Sequence, residues 1–202
     1  MKRLILLFAS LVLSCSLLSG CGYNELQSMD ESVNAAWSEV INQYQRRTDL
    51  IPNVVNSVKG EADFEKSTLT QVINARAKAT SIQATPELLN NPEAFQKFTQ
   101  AQGEIGNALS RLLVTVERYP TLQANKAFQE LRVQLEGCEN RIAIARNNYI
   151  KTVQTYNTWI RQFPQLIWVK ILGYKQKPQY KVADEAAVTT PPVVDFGTST
   201  QK

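Results

Sequence analysis

Apolar residues in this chain recur at alternating steps of three and four. Val33, Trp37, Val40, Tyr44, Ile51, Val54 and Val58 keep that rhythm with Arg47 as the single charged member, and the spacing predicts an amphipathic helix whose seam faces a core. Ser28 or Asp30 can cap its start, and Gly60 sits where it can stop. Pro52 lies inside the pattern and has no N–H to donate, so a kink or short break is expected near Asp49. A second helix, from about Ala62 to Ile82, places Thr68, Val72, Ala75, Ala79 and Ile82 on one face.

Thr85-Pro86 and Asn90-Asn91-Pro92 then break the chain, with Asn91 as a cap and Pro92 opening a third helix. Its seam runs through Phe95, Phe98, Gln102, Ile105, Leu109, Leu112, Val116 and Tyr119 and stops at Pro120. The fourth seam is the longest: Phe128, Leu131, Leu135, Cys138, Ile142, Ala145, Tyr149, Thr152, Tyr156, Trp159 and Phe163. Unbroken from about Leu122, that helix would be roughly 60 Å long. Four stripes joined by short connections predict an all-α fold, a long antiparallel up-and-down four-helix bundle over residues 29–174. The same seams would also serve a coiled-coil dimer of long hairpins.

The first twenty residues follow another pattern. Lys2 and Arg3 precede an apolar run from Leu4 to Leu18, which ends in Leu18-Ser19-Gly20-Cys21. The run is short for a membrane span, which needs roughly 20 residues, and has the order of an export signal. A large aliphatic, two small residues and a cysteine resemble the bacterial lipobox. Residues 1–20 are therefore expected to be cleaved as a lipoprotein signal peptide, Cys21 to carry fatty acyl (palmitate-type) chains, and residues 21–28 to form a tether. Leu13-Ser14-Cys15 is a weaker second candidate. At about 0.8 kcal/mol per buried methylene, two or three chains hold a domain on a membrane without a spanning segment.

Composition narrows the chemistry. The formal charge of +4 falls to +2 when Lys2 and Arg3 leave, and no Lys/Arg cluster marks a nucleic-acid partner. With Cys15 discarded and Cys21 lipidated, Cys138 is the remaining thiol, and its place on a seam predicts burial. The chain has no histidine, which removes the usual general base and the commonest metal ligand. No metal site and no cofactor is expected. Gly103-Glu104-Ile105-Gly106 lacks the lysine and preceding strand of a phosphate loop, and Glu61, Asp63, Glu65 and Glu104 read as a solvated face.

Arg46, Arg47 and Asp49 beside Pro52 form the most polar knot on the stripe. A seam arginine must reach a carboxylate or solvent. Arg47 is expected to meet Asp49, Glu117 or Glu139 and fix helix register; the functional alternative is a partner-docking or anion-binding notch. At the other end of the chain, Pro164–Tyr174 is apolar and carries Trp168, Lys170 and Tyr174. These suit a membrane interface, since an even number of antiparallel helices returns the chain to the level of Cys21; the alternative is a turn that closes the end of the bundle. Residues 175–202 read as a basic, low-complexity tail, disordered from about Ala183, with Val193-Val194-Asp195-Phe196 its one sticky patch.

The strings Ala35-Ala36-Trp37-Ser38, Arg46-Arg47-Thr48-Asp49-Leu50-Ile51-Pro52-Asn53, Glu117-Arg118-Tyr119-Pro120 and Tyr156-Asn157-Thr158-Trp159-Ile160-Arg161-Gln162-Phe163-Pro164 resemble the LemA family, from about Tyr23 to Tyr180. One departure is Asn148-Tyr149-Ile150, where the family often has Arg-Tyr-Asn. The resemblance implies a membrane-attached bacterial helical bundle with no established enzymatic activity. The expected function is a non-catalytic envelope scaffold or adaptor, anchored through Cys21 and facing the periplasm or exterior, with other envelope proteins as partners. Gly22 in place of Asp favours the outer membrane where a cell has two. A binding module for a small anion or envelope fragment is the alternative, and a Ser/Lys or carboxylate hydrolase is third.

Overall fold

A computed structural model describes residues 2–61 and 64–180, with side chains from Gly22 onward. Cys21 as a lipid site and the tail from 181 to 202 thus lie outside the residues whose side chains are described. Among the described residues the regular structure is helical: α1 (Lys2–Lys59), α2 (Lys66–Thr80), a 3-10 helix (Pro86–Asn90), α3 (Pro92–Val116), α4 (Pro120–Ala124), α5 (Lys126–Trp159) and α6 (Gln165–Leu172). The all-α bundle read from the seams is present.

Its frame is the antiparallel pair of α1 and α5. Trp37 packs on Tyr149 with ring centroids 5.4 Å apart, and further along Cys138 Sγ lies 3.5 Å from the Gln43 carbonyl oxygen. α2 and α3 form a second antiparallel pair, bridged by Lys78–Glu104 at 2.7 Å and Arg118–Glu65 at 3.3 Å. The core has two layers. One gathers Leu26 to Tyr44 of α1 with Phe95, Phe98, Cys138 to Ile160 and Val169; the other gathers Ile51 to Val58 with α2, the rest of α3, Phe128 and Leu135.

Several expectations change. The tether expected over 21–28 is helix, because Leu26 is fully buried and extends the α1 seam. The break expected near Asp49 does not occur; α1 runs through Pro52. Pro52 leaves the Thr48 carbonyl without its intrahelical donor, and Arg76 Nε of α2 donates to that oxygen at 3.3 Å. The last long helix is interrupted at Asn125, whose side chain accepts from the amides of Ala127 and Phe128 and caps α5. It also stops at Trp159, so Phe163 leaves the seam and is exposed.

The largest difference follows α6. With 15 residues against 34, α2 is roughly 22 Å long and α5 roughly 51 Å, so α2 cannot cover the whole frame. Where it runs out, the core is closed by Leu88 and Leu89 of the 3-10 helix and by residues 174–180. Gly173 reverses the chain into this strap at φ 76°, a left-handed cap that suits a residue without Cβ. Asn157 then clasps Lys177 twice, donating to its carbonyl and accepting from its amide, both at 2.9 Å. Tyr149 Oη donates to the Pro178 carbonyl at 2.8 Å and Tyr156 Oη to the Lys175 carbonyl at 3.2 Å. Lys177 Nζ reaches Asp30 at 3.0 Å, and the Tyr180 ring lies 5.3 Å from Phe95 under the guanidinium of Arg146. Residues 175–180, expected to belong to the tail, are therefore part of the packed fold.

Burial pushes the hydroxyls of Tyr149, Tyr156 and Tyr180 well above the ordinary tyrosine range. In the unfolded chain they ionise near pH 10, so their contribution is fully present below about pH 10 and is lost as pH rises beyond it. Tyrosinate absorbance from these three should appear together with loss of helical circular dichroism; titration of all seven tyrosines with the helix intact would contradict this. Asn157→Ala, which unpairs both Lys177 backbone groups, should cost about 1–3 kcal/mol in urea unfolding. It should also abolish exchange protection of the Lys177 amide, and unchanged protection would contradict the strap.

Candidate functional site

Between the two apolar layers lies a polar one. The α1 seam passes from Tyr44 in one layer to Ile51 in the other, and Arg47 falls at the join, 2 % exposed. Its position is dictated by helical spacing, which leaves a long cationic side chain no route to water except across the bundle. Nη1 donates to Glu139 Oε1 of α5 at 2.9 Å. Nη2 donates to both the carbonyl oxygen and the side-chain oxygen of Gln102 on α3, each at 2.8 Å. The guanidinium carbon also lies 5.2 Å from the centroid of the Tyr44 ring, while Nε–H has no acceptor among the described residues. With the Arg76–Thr48 bond, all four long helices meet at this level.

Of the three residues expected to form a notch, only Arg47 turns inward. Arg46 is exposed. Asp49 is exposed too and accepts from Gln45 Nε2 at 2.8 Å, so the partner Arg47 selects is Glu139, one of the three carboxylates named from the pattern. Gln102 was legible as a seam residue, but its pairing was not. Cys138 beside this layer is fully buried, and loss of hydration, then the nearby Glu139 charge, raises its pKa, which keeps it a thiol.

Beside the Leu26–Gln27 stretch of α1, Trp168 is half-buried, Lys170 exposed, and Tyr174 half-buried with its hydroxyl accepting from Gln27 Nε2 at 2.7 Å. Open grooves run along the outside of the α2–α3 pair; one of about 410 Å³ is lined by Glu65, Thr68, Gln71, Arg111 and Thr115. Its charged groups are engaged, Arg111 with Gln71 at 3.3 Å and Glu65 with Arg118 at 3.3 Å. No helix among the described residues is long and apolar enough to cross a membrane.

A sequence profile described as the LemA family matches residues 36–196, covering the bundle, α6 and the strap. The chain is 29% identical over 189 residues to magnetosome protein MamQ of Magnetospirillum gryphiswaldense, spanning 85% of this chain and 70% of that one. MamQ 1 of Paramagnetospirillum magneticum is likewise 29% identical over 187 residues, 84% of this chain and 69% of its own length. Protein LemA of Metamycoplasma hominis is 23% identical over 152 residues, 75% of this chain and 64% of its own.

Removing the buried cation should be costly because it strands Gln102 and part of Glu139. Arg47→Ala is expected to lose about 3 kcal/mol in urea unfolding. Glu139→Gln keeps an acceptor, and its side chain is 45% exposed, so it should lose only about 1 kcal/mol. Equal losses would contradict the geometry.

Proposed function

We propose, from the premise that the chain belongs to the LemA family, that it is a non-catalytic helical scaffold or adaptor held on a bacterial membrane for other envelope proteins. The observation that carries this is the filled centre. The charge buried between the layers is spent on Glu139 and Gln102, and the charged groups of the grooves on the α2–α3 face are engaged with neighbours, Lys78 with Glu104, Glu65 with Arg118 and Arg111 with Gln71. A site for catalysis needs a nucleophile or acid/base pair aimed at a common point. A long rod offers surface for partners instead.

The anchor in this reading is a fatty-acylated Cys21, with residues 1–20 removed and the bundle on the periplasmic or outer side of the membrane. In a cell with two membranes, Gly22 favours the outer one. An anion-binding role for the Arg46/Arg47 region is the weaker reading, since Arg47 faces inward and Arg46 outward.

Two measurements test the proposal. Labelling of growing cells with a palmitate analogue should tag the wild-type chain and leave Cys21→Ser untagged; a mature chain that still carries residues 1–20 would overturn the lipid anchor. Crosslinking mass spectrometry on intact envelopes should join lysines of the bundle to a small, reproducible set of other envelope proteins. Crosslinks within the chain alone would overturn the adaptor role.

A further inference from the structure

The outer face of α6 is apolar where a rod facing water would be polar. Phe163 is 82% exposed, Ile171 69% and Ile167 51%, with Leu166 and Leu172 also open, whereas Val169 is the buried residue of this helix. Such a contiguous patch marks an interaction surface. We infer that α6 and the turn before it form a bilayer-contact surface that takes anionic phospholipid, an inference that rests on the membrane attachment proposed above.

Three observations select lipid as the occupant. First, place: Val169 shares a core layer with Leu26, and Tyr174 is bonded to Gln27. The patch therefore sits at the end of the bundle where α1 leads back to Cys21 and the apolar run Leu4–Leu18. Second, charge: α6 and its flanks carry no Asp or Glu, none occurring between Glu139 and Asp184, and Arg161, Lys170 and Lys175 are exposed there, outnumbering Glu25 and Glu31 exposed on the neighbouring stretch of α1. Apolar side chains entering the acyl boundary with cations at phosphate level is the arrangement an anionic interface favours. Third, self-association is opposed, because a second copy would press the same cations against one another.

Of the expected trio, Lys170 is exposed while Trp168 and Tyr174 are half-buried, and the most open apolar side chains here are Phe163, Leu166, Ile167, Ile171 and Leu172.

The test uses the full chain as isolated from envelopes, reconstituted in phosphatidylcholine vesicles with a minority of phosphatidylglycerol and a photoactivatable phosphatidylglycerol, with labelled peptides mapped by mass spectrometry. Labelling is expected in the peptide containing Phe163 to Leu172 as well as at the N-terminus. An I167S/I171S double variant, which alters exposed positions only, should keep its melting temperature and lose the α6 label. Label at the N-terminus but not at α6 overturns this surface and leaves the attachment standing; label at neither overturns both. Label that persists in the double variant, or a crosslink from α6 to a second copy in place of lipid, also overturns the surface. Undiminished α6 labelling by a photoactivatable phosphatidylcholine in vesicles without phosphatidylglycerol overturns the anionic preference.

Discussion

A guanidinium buried between two apolar layers sets the register of this bundle. Apolar seams alone tolerate sliding, since one heptad of Val, Ile and Leu packs much like the next. Arg47 removes that freedom. Its donors fit Gln102 on α3 and Glu139 on α5 at one axial alignment, and any slip would strand a cation out of water. The same level holds Arg76 against the Thr48 carbonyl that Pro52 leaves open. Four helices are thus pinned where a proline would otherwise weaken one of them.

From that level the two halves differ in how they are closed. Toward the α1–α2 turn, four helices cover one another. Toward the N-terminus, α2 is missing, and the 3-10 helix and the strap from Tyr174 to Tyr180 complete the wall. The strap is held through its backbone, by Asn157, Tyr149 and Tyr156, which supplies partners to peptide groups that lie outside any regular element. It also ties α6 to the Gln27–Asp30 stretch of α1, through Lys177–Asp30 and Tyr174–Gln27.

The seams from Val33 to Val58 and from Phe95 to Val116 were legible because burial in a bundle follows helical period. Glu139 was legible as one of three possible partners, and Cys138 as a buried thiol, for the same reason. The strap was not legible: Lys175 to Tyr180 has no period, and its hydrogen bonds to Tyr149, Tyr156 and Asn157 are made by main-chain groups that any sequence carries. Nor was the continuity of α1 at Pro52, which depends on Arg76 arriving from another helix. Leu26 was assigned to a tether because a single apolar residue before the first capping candidates gives no pattern. At the candidate site, the residue types were visible but their directions were not; helical phase alone separates Arg47 from Arg46 and Asp49, and a cluster in sequence became one inward and two outward side chains.

The most direct test of register setting is a double-mutant cycle on Arg47→Met and Gln102→Leu, read by urea unfolding. If the polar layer acts as a unit, the double variant recovers stability relative to the sum of the singles, with a coupling of about 1–2 kcal/mol. Losses that add to within about 0.5 kcal/mol would show that Arg47 and Gln102 act independently, and would contradict a bundle pinned through them.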